Sequence, residues 1–306
     1  MFFNTRKQLI QDKSADRALA EEGIVRFGQI STSTIQQLCD LYNKLKIPDS
    51  YGFGFNVGLN TKEKHLRQQM QNEITNLIEK ELLTHFINRK VFTATFMNKV
   101  ASQQFLLPPH QDWTYTKESV NDSVMCWIPL TDINAKNGAL CYLPQSHKLF
   151  NYDRAFPLSY MPSAVNKLNY KLMPYMKPIF ANAGEIIVIN HKTVHASLPN
   201  LTDQERVAVG LSIAPKSEPF IIKALNPLTN GKTTQTFEVD QNFLVNYRHV
   251  DLTKRYDAQK SYDFEYKFIE EETLKLPEIS LRKVEKFAKK RGIEKDESFA
   301  KKFIPS

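Results

Sequence analysis

With 306 residues, 42% of them hydrophobic and 24% charged, the chain has ordinary globular usage, which excludes wholesale disorder; mean hydropathy is −0.42 and no run approaches the ~18 apolar residues of a membrane span. The formal net charge is +8, but residues 281–306 carry nine Lys/Arg against four Asp/Glu, so only +3 belongs to the rest. Three cysteines (Cys39, Cys126, Cys141) without a CxxC pair give neither a disulfide framework nor zinc-finger spacing, and the start turns polar without an apolar signal core, so a reduced, cytoplasmic protein is expected.

In chain order, GIVRF (23–27) reads as a short strand, and Ser31 or Ser33 is placed to cap a helix carrying Ile35, Leu38, Leu41 and Leu45. YGFGFNVGLN (51–60) reads as a loop, and a second helical pattern from Lys62 to about Phe86 puts Ile74, Ile78, Leu82 and Phe86 on one face. From Val91 to Pro215 the period changes to that of strands: 91–100, 105–113, 123–130, 139–144, 175–180, 184–190, 193–197 and 206–215. Short strands divided by Pro, Asn and Gly turns predict an antiparallel sandwich or jelly roll flanked by helices. The excursion 151–178, rich in Tyr, Met and Pro, reads equally as a flap over a site or as a cover for a sheet edge. Residues 216–280 give a mixed signal, and Leu281, Val284 and Ala288 recur at helical spacing with lysines outside, so the basic tail is expected to be a solvated helix. It lacks the aromatic–basic interleaving of a base-stacking surface, so nucleic acid is not expected as a partner.

The chemistry centres on PPHQDWTY (108–115). Residues i and i+2 of a strand share a face, so His110 and Asp112 would point one way and Gln111 the other. HxD alone is a weak signal that also fits a surface histidine bonded to a carboxylate. A third ligand is available in GEIIVINHKTVHAS, where His191 and His195 would form an i, i+4 zinc pair on a helix. The β-branched run Ile186–Ile189 argues for a strand instead, which favours His195 as ligand and leaves His191 a supporting role. Two histidines and a carboxylate on one triangular face leave three positions open, the pattern of non-haem Fe(II) oxygenases, whereas zinc favours a closed site or one open water. Arg206, returning on the next strand after the loop 198–205, either pairs with Glu205 or Asp203 at the surface or faces the metal cavity, where it needs a carboxylate. The remaining histidines, His65, His85, His147 and His249, read as ordinary surface or hydrogen-bonded side chains.

HQD, followed by CWIPLTDINAKNGALCYLPQSHK (126–148) and GEIIVINHKTVHASLPNLTDQERVAVGLSI (184–213), resembles the phytanoyl-CoA dioxygenase family of Fe(II)/2-oxoglutarate-dependent oxygenases. The resemblance covers about 20–215 and departs at Gln145, where the family usually has glycine. It implies a double-stranded β-helix, cupin-like core; no linker divides the chain, so one oxygenase domain over 1–306 is expected, with a helical N-terminal region over 1–90, the core 91–215, and a C-terminal extension 216–306 with a basic helical tail. It implies Fe(II) bound by His110, Asp112 and His195, with Arg206 holding the far carboxylate of 2-oxoglutarate, Ser197 assisting and Trp127 bordering it. Core packing for Trp127 and a strand-end hydroxyl for Ser197 are the plainer readings. The implied reaction uses O2 to oxidise, by hydroxylation, a small organic substrate (a natural product, amino-acid derivative or lipid-like compound), with succinate and CO2 as products. Halogenating relatives lack the carboxylate, so Asp112 favours oxygen insertion. The competing expectations are a non-catalytic metal-binding sandwich serving as sensor or scaffold, and a zinc hydrolase on the same ligands.

Overall fold

Alternation along the central strands sorts their side chains onto two faces, one for packing helices and one for a cavity. The computed structural model describes residues 7–47, 54–102 and 105–303. Its strands are β1 (Ile24–Gln29), β2 (Phe55–Val57), β3 (Arg89–Lys99), β4 (Leu107–His110), β5 (Val124–Pro129), β6 (Leu140–Tyr142), β7 (Lys177–Ile179), β8 (Glu185–Asn190), β9 (His195–Ser197), β10 (Arg206–Pro215), β11 (Phe220–Leu225), β12 (Thr233–Val239) and β13 (Lys267–Thr273). A six-stranded antiparallel sheet runs β1-β8-β5-β10-β3-β2, and a four-stranded one runs β4-β9-β6-β7. The fold is thus mostly sheet with several helices. Val209, Leu211 and Ile213 of β10, with Val124, Cys126 and Ile128 of β5, enter one hydrophobic cluster; Ala208, Met125 and Trp127, one residue out of phase, enter the other.

The first cluster is closed by helices α1 (Lys13–Glu22), α2 (Thr32–Leu45) and α3 (Lys64–Leu83). Ser31 caps α2 by accepting from the Thr34 N–H, as the sequence predicts, and Lys46 in the left-handed conformation ends it. Leu38, Leu41 and Leu45 of α2 and Ile74, Ile78 and Leu82 of α3 are buried, each such side chain contributing about 1.5–3 kcal/mol.

The structure corrects several expectations. Within 51–60, residues 55–57 form the edge strand β2 and 58–60 a 3-10 turn, while 51–53 lie outside the described residues. The strand expected over 105–113 ends at His110, so Asp112 lies beyond it. The excursion 151–178 is no free flap. It folds into α5 (Ala164–Leu168), following α4 (Ser146–Leu149), and 3-10 turns at 158–160 and 169–175, and it buries Met161, Leu172, Met173, Tyr175 and Met176 in the second cluster. Residues 216–280 form the sheet β11-β12-β13 with α6 (Phe243–Asn246) and α7 (His249–Asp257). The basic tail supplies α8 (Leu281–Lys290), whose Val284 and Ala288 are buried as its spacing predicts. Gln145, at the family's glycine position, adopts φ 59, a left-handed conformation that glycine takes at no cost. Its N–H and side chain bond Glu22, which holds the turn in place.

Candidate metal centre

β4 and β9 pair so that His110 stands opposite His195, with ring centroids 4.2 Å apart. The Nδ1 of His110 bonds the Pro108 carbonyl at 2.8 Å, and the Nδ1 of His195 bonds the Thr193 carbonyl at 3.0 Å. Each ring therefore donates through Nδ1 and leaves Nε2 with a free lone pair, the tautomer a metal needs. Asp112 joins them across 3.8 Å from its Oδ1 to the Nε2 of His195, and one ligand atom from each of the three residues lies within 4.8 Å of the others. Its other oxygen, Oδ2, is buried without a partner, an arrangement that an unfilled carboxylate does not favour but a cation satisfies. Burial, with help from His195, lowers His110 to about 4 and keeps it neutral. Burial works to raise Asp112, yet the imidazoles of His195, His191 and His110 and the Arg154 guanidinium outweigh it and hold the carboxyl below its ordinary value.

Because Asp112 is off the ladder, other contacts fix it. The Asp112 N–H donates to the His191 carbonyl at 3.2 Å, and Gln111, pointing away as expected, donates to the carbonyls of Phe150 and Lys192. Arg154, from the excursion, donates through Nε to the Asp112 carbonyl at 2.9 Å and grips Glu118 with both terminal nitrogens. Arg154 and Glu118 are almost wholly buried. Glu118→Ala would leave that guanidinium uncompensated, so urea denaturation of the metal-free chain should show a loss of about 3–5 kcal/mol; a loss under ~1 kcal/mol would mean the pair does not hold this segment. His191 is structural: Ser123 Oγ lies 2.8 Å from its Nδ1, Ser212 Oγ lies 3.4 Å from its Nε2, and Tyr115 packs edge-on against it.

Arg206 opens β10, is 1% exposed, and its Nε and Nη1 have no partner. The surface pairing with Glu205 does not occur; Glu205 accepts from Asn98 instead. Burial pushes the guanidinium down to about 10. Trp127 stands across the sheet with its ring 5.5 Å from the Arg206 Cζ, and Ser197 Oγ is buried and unpaired. His110, Asp112, His195, Ser197, Arg206 and Trp127 all line one cavity of 280 Å³. The donor set thus fits a metal, and the unpaired guanidinium and hydroxyl fit a carboxylate beside it.

Sequence reasoning misses Lys99, which pairs with Arg206 across β3 and β10, is 1% exposed, and donates to the carbonyls of Phe105 and Ser197. Gly138 of the Asn-Gly turn (φ 80) makes room for it, since a Cβ there would lie 2.7 Å from the Lys99 Cδ. Burial first, and Arg206 second, lower Lys99 from 10.5 to about 6. Between those values the unfolded chain holds a proton that the folded chain does not, so Lys99 makes stability rise with pH from about 6 toward 10.5, by up to about 1.4 kcal/mol per pH unit. Lys99→Met should flatten that region of the stability–pH curve; an unchanged slope in denaturation between pH ~7 and ~9 would count against the depressed value.

A phytanoyl-CoA dioxygenase (PhyH) family profile matches residues 48–208. Among solved structures the chain is similar to the non-haem α-ketoglutarate-dependent carbocyclase SnoK from nogalamycin biosynthesis, at TM-score 0.50 and 19% identity over 68% of this chain and 86% of that one. It is similar also to the epimerase SnoN in complex with Fe3+, α-ketoglutarate and nogalamycin RO (TM-score 0.48, 15% identity, 68% and 85% covered). A third is HygX from Streptomyces hygroscopicus with nickel, 2-oxoglutarate and hygromycin B bound (TM-score 0.46, 12% identity, 67% and 88% covered). At such identity the SnoK likeness concerns the fold. No curated protein sequence matches the chain at a significant level. Among the described residues no helix is long and apolar enough to cross a membrane.

Proposed function

The chain belongs to the phytanoyl-CoA dioxygenase family, and from that premise we propose that it is a cytoplasmic Fe(II)/2-oxoglutarate-dependent dioxygenase that hydroxylates a small organic substrate. The two sheets would form the halves of a double-stranded β-helix, in one domain spanning the chain. When bound, Fe(II) and 2-oxoglutarate supply the oxidising power: O2 is consumed as 2-oxoglutarate loses CO2 to give succinate, and a substrate C–H bond is oxidised.

The residues do the rest. His110 and His195 offer neutral Nε2 atoms because backbone carbonyls occupy their Nδ1 hydrogens, and Asp112 offers the charge that keeps a divalent ion in place. Arg206 would hold the distal carboxylate of 2-oxoglutarate, Ser197 Oγ would add a hydrogen bond, and the Trp127 ring would border the chain of the keto-acid. The apolar walls keep water away and strengthen each of these contacts.

The observation that carries this reading is the shared cavity: three convergent candidate ligands and a buried guanidinium whose Nε and Nη1 lack hydrogen bonds line the same space. Anaerobic addition of Fe(II) and then 2-oxoglutarate to the metal-free chain should produce a weak visible charge-transfer band, and admitting O2 together with a substrate should then give stoichiometric succinate. A chain that binds metal without the keto-acid would be a sensor or scaffold, and turnover with zinc and no O2 uptake would be a hydrolase.

A further inference from the structure

The C-terminal segment 241–249, which lies outside the family profile and carries no firm sequence signal, forms a wall of the same cavity through Leu244, Tyr247 and His249. It is firmly attached. Arg67 of α3 donates to the Val245 carbonyl at 2.8 Å, Gln71 donates to the Gln241 carbonyl at 2.8 Å, and Phe243 and Val245 are fully buried. Arg248 bonds both carboxylate oxygens of Asp251 at 2.7 Å, which fixes the start of α7, where His249 sits. The His249 ring packs against Trp113 at 5.4 Å. Among the described residues the ring makes no hydrogen bond, and this half-buried histidine lies outside the cluster of candidate metal ligands. Burial lowers its pKa, so the imidazole that faces the cavity is neutral.

The charges lining the cavity have their own tasks. Among the described residues its only lysine or arginine is Arg206, and its only carboxylate is Asp112. The rest of the lining is apolar, as with Phe55, Leu59, Met97, Leu107 and Leu158, or neutral and polar, as with Asn60 and Thr93. An anionic group here would be buried without a counterion, and a cationic one likewise, either of which is far costlier than burying an apolar group. The His249 imidazole has a different meaning: half-buried on this wall and without a hydrogen bond to the described residues, it can exchange water for a ligand oxygen.

We propose that segment 244–249 selects the substrate and that the molecule it admits is uncharged, mainly apolar, and carries a hydroxyl or carbonyl oxygen bound by His249. The inference rests on the assignment of Arg206 to 2-oxoglutarate, because a free guanidinium would welcome an anion. It excludes the anionic substrate that the chain's net positive charge would otherwise suggest.

Saturation-transfer NMR on the full chain loaded with diamagnetic Zn(II) and 2-oxoglutarate tests it with three matched probes: indane, indanol and indane carboxylate. Indanol should bind about five- to tenfold more tightly than indane, the worth of one hydrogen bond, and indane carboxylate at least about a hundredfold more weakly than indanol. In His249→Ala the indanol-to-indane ratio should fall to about one, and in His249→Gln, which keeps a donor and an acceptor, some of it should return. Equal binding of the carboxylate, a ratio that survives in His249→Ala, or no binding by any probe would overturn the proposal. Thermal unfolding of each variant shows whether it is folded, and a ratio lost only through unfolding is replaced by the His249→Gln reading. The Fe(II)/2-oxoglutarate band of the unsubstituted protein reports separately on the oxygenase reading. If that band fails while indanol discrimination persists in the metal-free chain, the oxygenase reading and the exclusion of anions that rests on it fall, and the His249 contact alone stands.

Discussion

Asp112→Ala should give a folded protein that no longer holds Fe(II) and no longer makes substrate-dependent succinate. The fold survives because the contacts fixing residue 112 are made by its backbone: the N–H to the His191 carbonyl and the carbonyl to Arg154 Nε. The side chain, by contrast, has one oxygen 3.8 Å from the His195 Nε2 and the other buried without a partner. Removing a group that only orients a ligand costs about 10–100-fold in metal affinity, so removing the sole carboxylate should cost at least ~100-fold. Two neutral imidazoles cannot offset the charge of a divalent ion, so the remaining site loses its electrostatic attraction as well as a ligand. Competition titration against a fluorescent chelator reads the affinity, circular dichroism reads the fold, and coupled succinate detection reads turnover. Full turnover in the folded variant would remove Asp112 from the reaction.

Why the ligands are legible in the sequence, and their supports are not, follows from the range of the interactions involved. The β-branched run Ile186–Ile189 announces a strand and thereby favours His195 over His191 as a candidate ligand; the structure pairs His195 with His110 and ties His191 to Ser123. That argument is local, since strand propensity and alternation depend on a few neighbours. Even there it reaches too far. Alternation gives His110 and Asp112 a shared face on a continuous strand, whereas β4 stops at His110 and the backbone of Asp112 is held by long-range contacts. Arg154 and Glu118, Lys99 beside Ser197, and His249 against Trp113 are pairings made by the closed fold between residues distant along the chain. Nothing in a window of ten residues marks them. The excursion 151–178 shows the same gap from the other side: its Met and Tyr content suits a flap as well as a cover, and the structure both buries those side chains in the second cluster and sets Leu158 on the cavity wall.

Arg206→Met should separate function from stability, moving them in opposite directions. The guanidinium is buried, its Nε and Nη1 are unpaired, and Lys99, the residue opposite it across the ladder, supplies no counter-charge. In the metal-free chain this arrangement is a cost, offset partially by the Trp127 ring, a contribution of about 0.5–2 kcal/mol. Replacing a buried, poorly compensated charge by an apolar side chain of similar length commonly stabilises by about 1–4 kcal/mol, so the variant should unfold at higher urea than the parent. Its affinity for 2-oxoglutarate should fall by about 2–5 kcal/mol, or roughly 30- to several-thousand-fold, because the carboxylate would enter an apolar wall with no counterion. The two effects meet in one measurement. At a 2-oxoglutarate concentration about a hundred times its dissociation constant, the parent should gain about 2.7 kcal/mol of stability, and the variant at that concentration should gain about 0.9 kcal/mol or less. A variant less stable than the parent when metal-free, yet still stabilised by the keto-acid, would mean that Arg206 is compensated within the protein and that the distal carboxylate is held elsewhere.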